Sequence, residues 1–185
     1  DQWLVWDRET DTKRPEWPGE SVSWSDPDDW HTFSEAVALA DAQRRYVPGY
    51  VTAVDNDDFS RGLVGVIDID GGVAERGTPK DWVPDLEQFV DAGAYMEYSQ
   101  SGNGIHIPII GQERPEWWKD VQKEGDKHEG VDYLTNKFCI FTGDKLEPAG
   151  DRVVEASDVD AKRFFFDAYR AVTGESPRTG DTTGD

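Results

Sequence analysis

Residues 65–72, GVIDIDGG, set two aspartates one residue apart at the end of a β-branched run that starts near Leu63. Alternation of this kind marks a strand with two different faces. Its period of two puts Val66, Asp68 and Asp70 on one face and sends Ile67 and Ile69 into a core on the other. An isolated carboxylate is costly to take out of water, and of two side by side one is expected to hold a proton unless a cation joins them. The chain must therefore build a sheet with one apolar face and one that gathers charge. Carboxylate oxygens suit hard divalent ions such as Mg2+ or Mn2+, and two such ions ~3.5–4 Å apart would fit this platform. A solvated strand end would carry the same pair, so D-x-D alone does not assign the role.

Around that strand the pattern is α+β. QWLVW (2–6) reads as an opening strand, and prolines 15, 18 and 27 keep 12–30 irregular. Thr32-Phe-Ser-Glu35 has capping-box spacing, and Phe33, Ala36, Val37 and Ala40 recur at helical period, which predicts a helix over 32–45. YVTAV (50–54) reads as a strand and DNDDFSRG as a turn. A helix is expected over 82–92 and two strands, AYMEYS (94–99) and GIHIPII (104–110), joined hairpin-fashion by QSGNG. Residues 111–128 look polar and irregular, and GVDYLT (130–135) and KFCIFTG (137–143) look like a strand pair. Ser157 is placed to cap a helix over 158–173, and the Gly/Thr/Asp-rich stretch 174–185 is expected to be a disordered tail or linker.

The formal charge is −20, from 39 acidic and 19 basic residues, yet eight tryptophans and eight phenylalanines speak for a folded core. Such acidity fits either general avoidance of nucleic acid or a surface adapted to molar salt; aspartate outnumbering glutamate 25 to 14, with only 8 lysines, favours the second and hence the cytoplasm of a salt-adapted host. No apolar run approaches the ~20 residues of a membrane helix. A single cysteine and three histidines exclude a disulfide scaffold and disfavour structural zinc, leaving Cys139 as a small core residue. The sequence starts at Asp1 with Met96 as its one methionine, which reads as a piece of something longer.

Two further stretches carry chemistry. In SQSGNGIH (99–106), Gly102 and Gly104 allow close backbone approach, and successive N–H groups can form an anion nest with Ser101 and Asn103 beside it. His106 alternates with Ile105 and Ile107, so it faces whatever the loop faces and is a candidate phosphate ligand. In GVDYLTNKF (130–138), Asp132 alternates with Val131 and Tyr133 and can add a third carboxylate, and Lys137 can meet a phosphate or remain solvated.

Together V66-I-D-I-D70, S99-Q-S-G-N-G-I-H106, G130-V-D132 and K137-F-C-I-F-T-G143 resemble, in order and spacing, the primase–polymerase branch of the archaeo-eukaryotic primase superfamily. The opening W3-L-V-W6 and T12-K-R-P15 resemble the start of that domain, so the likeness spans about 2–150. It implies an RRM-like catalytic antiparallel sheet with helices (about 63–150, closed by a helix at 157–173), packed against an N-terminal α/β lobe (about 1–62). The active site would lie in the cleft between them, the whole forming one domain over 1–173. By the same likeness Asp68, Asp70 and Asp132 would bind two Mg2+ or Mn2+ ions and, with His106, form the catalytic set. Ser101, Gly102, Asn103, Gly104, His106 and Lys137 would hold the triphosphate of a dNTP or NTP. Lys137 stands where arginine is more usual, which weakens bidentate phosphate recognition, and the zinc-binding cysteines of some primases are absent.

The implied activity is template-directed primer synthesis and DNA extension in replication of a virus or mobile element, by a monomeric domain with a fused or separate helicase. Rival readings are a non-catalytic nucleic-acid-binding module, a Rep-type nicking endonuclease, whose paired histidines are missing, and a nucleotidyl cyclase. Contacts to a DNA template or primer strand would fall to Lys13, Arg14, Arg44, Arg45, Arg61 and Lys80, with stacking on Trp3, Trp6 or the Trp117–Trp118 pair. So few cations predict weak template binding by this chain alone.

Overall fold

The computed structural model describes residues 2–52, 64–75, 77–124 and 126–177. Within them the chain is mixed α+β, with mainly antiparallel sheets and few helices. In chain order the elements are β1 (Trp3–Asp7), α1 (Phe33–Ala42), β2 (Tyr46–Val51), β3 (Val64–Asp70), β4 (Val73–Glu75), β5 (Thr78–Pro79), α2 (Glu87–Asp91), β6 (Glu97–Tyr98), β7 (Ile105–Ile110), β8 (Val121–Lys123), β9 (Asp126–Leu134), β10 (Phe138–Ile140), β11 (Val154–Glu155) and α3 (Ala161–Thr173).

The larger sheet runs β11-β7-β3-β9-β8, and β6 pairs with the first half of β7. On one face, Ile67, Ile69, Ile105, Ile107, Val131 and Tyr133 are fully buried and pack on Phe164 and Phe165 of α3. Each such side chain contributes ~1.5–3 kcal/mol by leaving water. Phe165 anchors the contact, lying 5.0 Å from the Tyr133 ring and 4.8 Å from Trp118. The smaller sheet, β1-β2-β10, carries α1, whose Ala36 packs with Val5 and Tyr46. It meets the other face of the larger sheet where Cys139 of β10 packs on Val66 and Leu134.

Local chemistry explains where the sequence reading holds and where it shifts. Thr32 and Glu35 form the expected capping box, although α1 ends at Ala42. The second strand begins at Tyr46, earlier than expected, because Pro48 and Gly49 hide it from propensity; a Cβ on Gly49 would lie 2.2 Å from the Phe138 ring. The turn expected at 55–62 lies outside the described residues. Only Glu87–Asp91 of the expected 82–92 helix is helical, since Pro84 disfavours helical backbone at the residue before it. The last helix starts at Ala161, capped by Asp160 accepting from the Arg163 N–H (2.9 Å) rather than by Ser157.

One correction matters for the site. Residues 130–135 and 137–143 do not pair with each other. A turn through Asn136, in the left-handed region at φ 54°, carries β10 across to β2, while β9 is flanked by β3 and β8. Thr52 fixes the crossing: its N–H donates to the Lys137 carbonyl (2.9 Å) and its hydroxyl oxygen accepts from the Lys137 N–H (3.0 Å). The stretch 111–128, expected to be irregular, holds β8 and the start of β9.

Candidate active site

Strand register assembles the site. Asp68 of β3 stands directly opposite Asp132 of β9 on one side and His106 of β7 on the other, and His106 stands opposite Glu97 of β6. One row, Asp132–Asp68–His106–Glu97, thus crosses four adjacent strands, all on the face turned away from α3. Asp70 follows one step along, level with Gly130, and is exposed.

Burial sets the electrostatics. Asp68 has 16% of its side chain exposed, and its Oδ1 makes no hydrogen bond, although His106 Nε2 lies 3.5 Å away. Burial, with Asp70 and Asp132 adding repulsion against the opposing pull of His106, pushes its carboxyl up to about 6. Asp132 is also pushed up to about 6, chiefly by burial and then by Asp120, with Lys137 opposing. His106 is buried, which works against its charge, but its hydrogen bond to Glu97 and the charges of Asp68 and Glu97 outweigh that and raise its pKa.

Glu97 was not visible as a functional residue in the sequence. It is fully buried, and every neighbour is a donor: the Tyr95 hydroxyl (2.6 Å), the backbone N–H groups of Thr142 and Gly143 (each 2.9 Å) and His106 Nδ1 (3.3 Å). Because Glu97 only accepts, His106 presents Nδ1–H to it and turns Nε2 toward Asp68. The Thr142-Gly143 turn is thereby tied to the histidine. An acid two residues before Ser99, in a strand otherwise read as apolar, was the available signal.

The loop differs from a ready anion nest. Gly102 adopts φ +77°, as expected of glycine, but its N–H donates to the Ser99 carbonyl (2.8 Å) and the Gly104 N–H to Ser99 Oγ (3.0 Å). The Asn103 N–H points to Ser101 Oγ (3.4 Å). The turn consumes these donors, so the loop offers the exposed side chains of Ser101 and Asn103. Both line a cavity of about 480 Å³ with Asp70, Gly71, Lys80 and Glu129. Lys137 is not part of it and lines a separate cavity with Lys13 and Arg14.

Among the described residues, no three His, Cys, Asp or Glu side chains are gathered as a ready-made metal centre. The chemistry of the donors nevertheless fits a hard cation, since Asp68 Oδ1 is buried without a hydrogen bond and both Asp68 and Asp132 are strained toward protonation.

Several expected DNA contacts are engaged elsewhere. Trp6 and Trp118 are buried, Arg45 faces Asp7 and stacks on Tyr46, and Lys80 pairs with Glu129. Arg61 lies outside the described residues.

The chain is 29% identical over 153 residues, 81% of its length, to the DNA primase-polymerase of Nitratiruptor phage NrS-1. The relationship supports a primase–polymerase domain. The chain spans about 20% of that relative's length. No protein-family model matches it. No helix among the described residues is long and apolar enough to cross a membrane.

Proposed function

We propose that this chain is the catalytic domain of a DNA primase–polymerase, synthesising primers and extending DNA on a template. The observation that carries the reading is the single row Asp132–Asp68–His106 on the polar face of the sheet. Asp68, Asp70 and Asp132 would hold divalent cations, Mg2+ or Mn2+, which when bound supply charge neutralisation at the attacking 3′-hydroxyl and along the triphosphate. His106, held by Glu97 with Nε2 toward the acids and its pKa raised, offers an N–H donor to a phosphate oxygen. Ser101 and Asn103 offer hydrogen bonds beside Asp70, so this side of the cleft positions the nucleotide. The larger sheet is then the RRM-like catalytic sheet, and β1, β2 and α1 belong to the N-terminal lobe, in one domain over 1–173. We extend the reading to replication of a virus or mobile element in a salt-adapted host, with a helicase supplying processivity.

A template-directed assay with labelled dNTPs or NTPs, with and without primer, in Mn2+ or Mg2+, tests this. Product is expected from the wild type and none from Asp132→Ala. Undiminished product from Asp132→Ala would remove the acids from the reaction, and product that forms equally without template would favour a cyclase-like chemistry.

A further inference from the structure

A cavity of about 500 Å³ opens beside the acidic row, lined by Lys13, Arg14, Ser23, Trp24, Lys137 and Phe138 among others, with no carboxylate in its wall. In a chain of charge −20 this is a local inversion. Many of the described cations are neutralised: Arg45 by Asp7, Lys80 and Lys123 by Glu129, Arg114 by Asp120, Arg152 by Asp158 and Arg163 by Asp167. Lys13, Arg14 and Lys137 have no ion-pair partner among the described residues. Three cations gathered in one wall with no carboxylate in direct contact repel one another, and a bound anion would relieve that. The position is specific too, because the charge of Lys13 reaches Asp68 and His106 while that of Lys137 reaches Asp132. Both cations therefore lie within electrostatic reach of the row, in a cavity that shares no lining residue with the Ser101–Asn103 cavity. Trp24, half-buried in the same wall, adds an aromatic face.

We infer that this cavity binds a single nucleic-acid strand, its phosphates on Lys13, Arg14 and Lys137 and a base against Trp24. Alternating cations and an aromatic ring suit a strand, whereas a free triphosphate would use the cations alone. The inference deepens the polymerase reading by naming where the template or primer strand enters, but strand binding can be measured without catalysis.

The test is fluorescence anisotropy with a labelled oligothymidylate of about a dozen nucleotides, at low salt, in EDTA and without nucleotide. The triple variant Lys13→Ala/Arg14→Ala/Lys137→Ala should bind at least ~10-fold more weakly, with its log–log salt slope reduced by about 2, near 0.7 for each lost phosphate contact. Trp24→Leu should weaken binding ~10-fold at unchanged slope, and Trp24→Phe should retain it. Lys162→Ala, on α3, should change nothing. Unchanged affinity and slope in the triple variant would overturn the inference. So would a fluorescent dNTP losing affinity, in Mn2+, by the same factor as the strand, since that would give the cavity to the triphosphate. Failure of the polymerase reading looks different: strand binding would still depend on these residues while Asp132→Ala left the chemistry intact.

Discussion

The two faces of the larger sheet are written by the same strands, one residue out of step. Ile67, Ile69, Ile105, Ile107, Val131 and Tyr133 form a dry surface under α3, whereas Asp68, Asp70, His106 and Asp132 occupy the other side. The apolar face is stabilised by burial, and the Tyr133 hydroxyl it contains is satisfied by the Gln112 carbonyl. The other face places two acids beside one another, both pushed toward protonation chiefly by burial and one with an unpartnered oxygen, an arrangement that opposes folding. A strand pair can carry that cost because register, fixed by the apolar face, leaves the polar residues no alternative place to go. The site is thus held by residues that never touch it.

The largest effect should come from breaking the dry face. Ile107→Ala removes a fully buried side chain next to His106 in sequence and should cost ~2–5 kcal/mol of stability. Urea denaturation measures it, and a loss below 0.5 kcal/mol on the order of experimental error would mean that α3 does not clamp this face. The opposite change, Asp68→Asn, should leave stability equal or higher while lowering nucleotide incorporation at least ~100-fold. If incorporation and stability fell together, the two faces would not be separable in the way their packing implies.

This separation explains what was readable in advance. Alternation in GVIDIDGG, GIHIPII and GVDYL reports which side each residue takes, so Asp68, His106 and Asp132 could be placed on one face without coordinates. That they form a single row depends on register between strands far apart in the chain, which no local pattern encodes. The crossing of β10 to β2 was hidden for the same reason: Asn136 and the Thr52–Lys137 bonds act between segments 85 residues apart. Glu97 was missed because its meaning lies in Thr142 and Gly143, 45 and 46 residues downstream. The glycine loop misled in the other direction. Its spacing allowed free N–H groups, but Ser99 takes two of them.

Glu97 sharpens the comparison, being a fully buried carboxyl on the polar side. In Glu97→Gln an amide NH2 must face two of the four donors, either Thr142 and His106 or Tyr95 and Gly143, so the clamp on His106 or on the turn behind it is broken. Incorporation should fall ~10–100-fold, as for other groups that orient a reacting histidine. The double variant Glu97→Gln/His106→Ala should be no worse than His106→Ala alone, because the two residues act as one unit. Multiplied defects would show that Glu97 acts by a route of its own, through the Thr142–Gly143 turn.

The smallest effect is a pH signature of the polar face. Asp68 has a folded pKa near 6, above its ordinary value, so the folded state binds its proton more tightly than the unfolded state does. Its contribution is therefore most favourable below about pH 4 and declines as pH rises through about 6. His106, also raised, adds stability below its ordinary range that is lost at higher pH, so the two act in the same direction. Acids with lowered values, such as Asp120 beside Arg114, act oppositely, and the overall negative charge adds its own slope. The difference between wild type and Asp68→Asn cancels the Asp120 and overall-charge terms, while the part of the His106 shift that Asp68 causes adds to the difference in the same direction. Urea midpoints in EDTA should show the variant gaining on the wild type by on the order of 1 kcal/mol between pH 4 and 7. Mn2+ should shrink that gap at pH 7 by stabilising only the wild type. Parallel pH curves for the two proteins would mean that Asp68 is no more reluctant to ionise in the fold than in the open chain, and the contrast between the faces would then be one of shape rather than of charge.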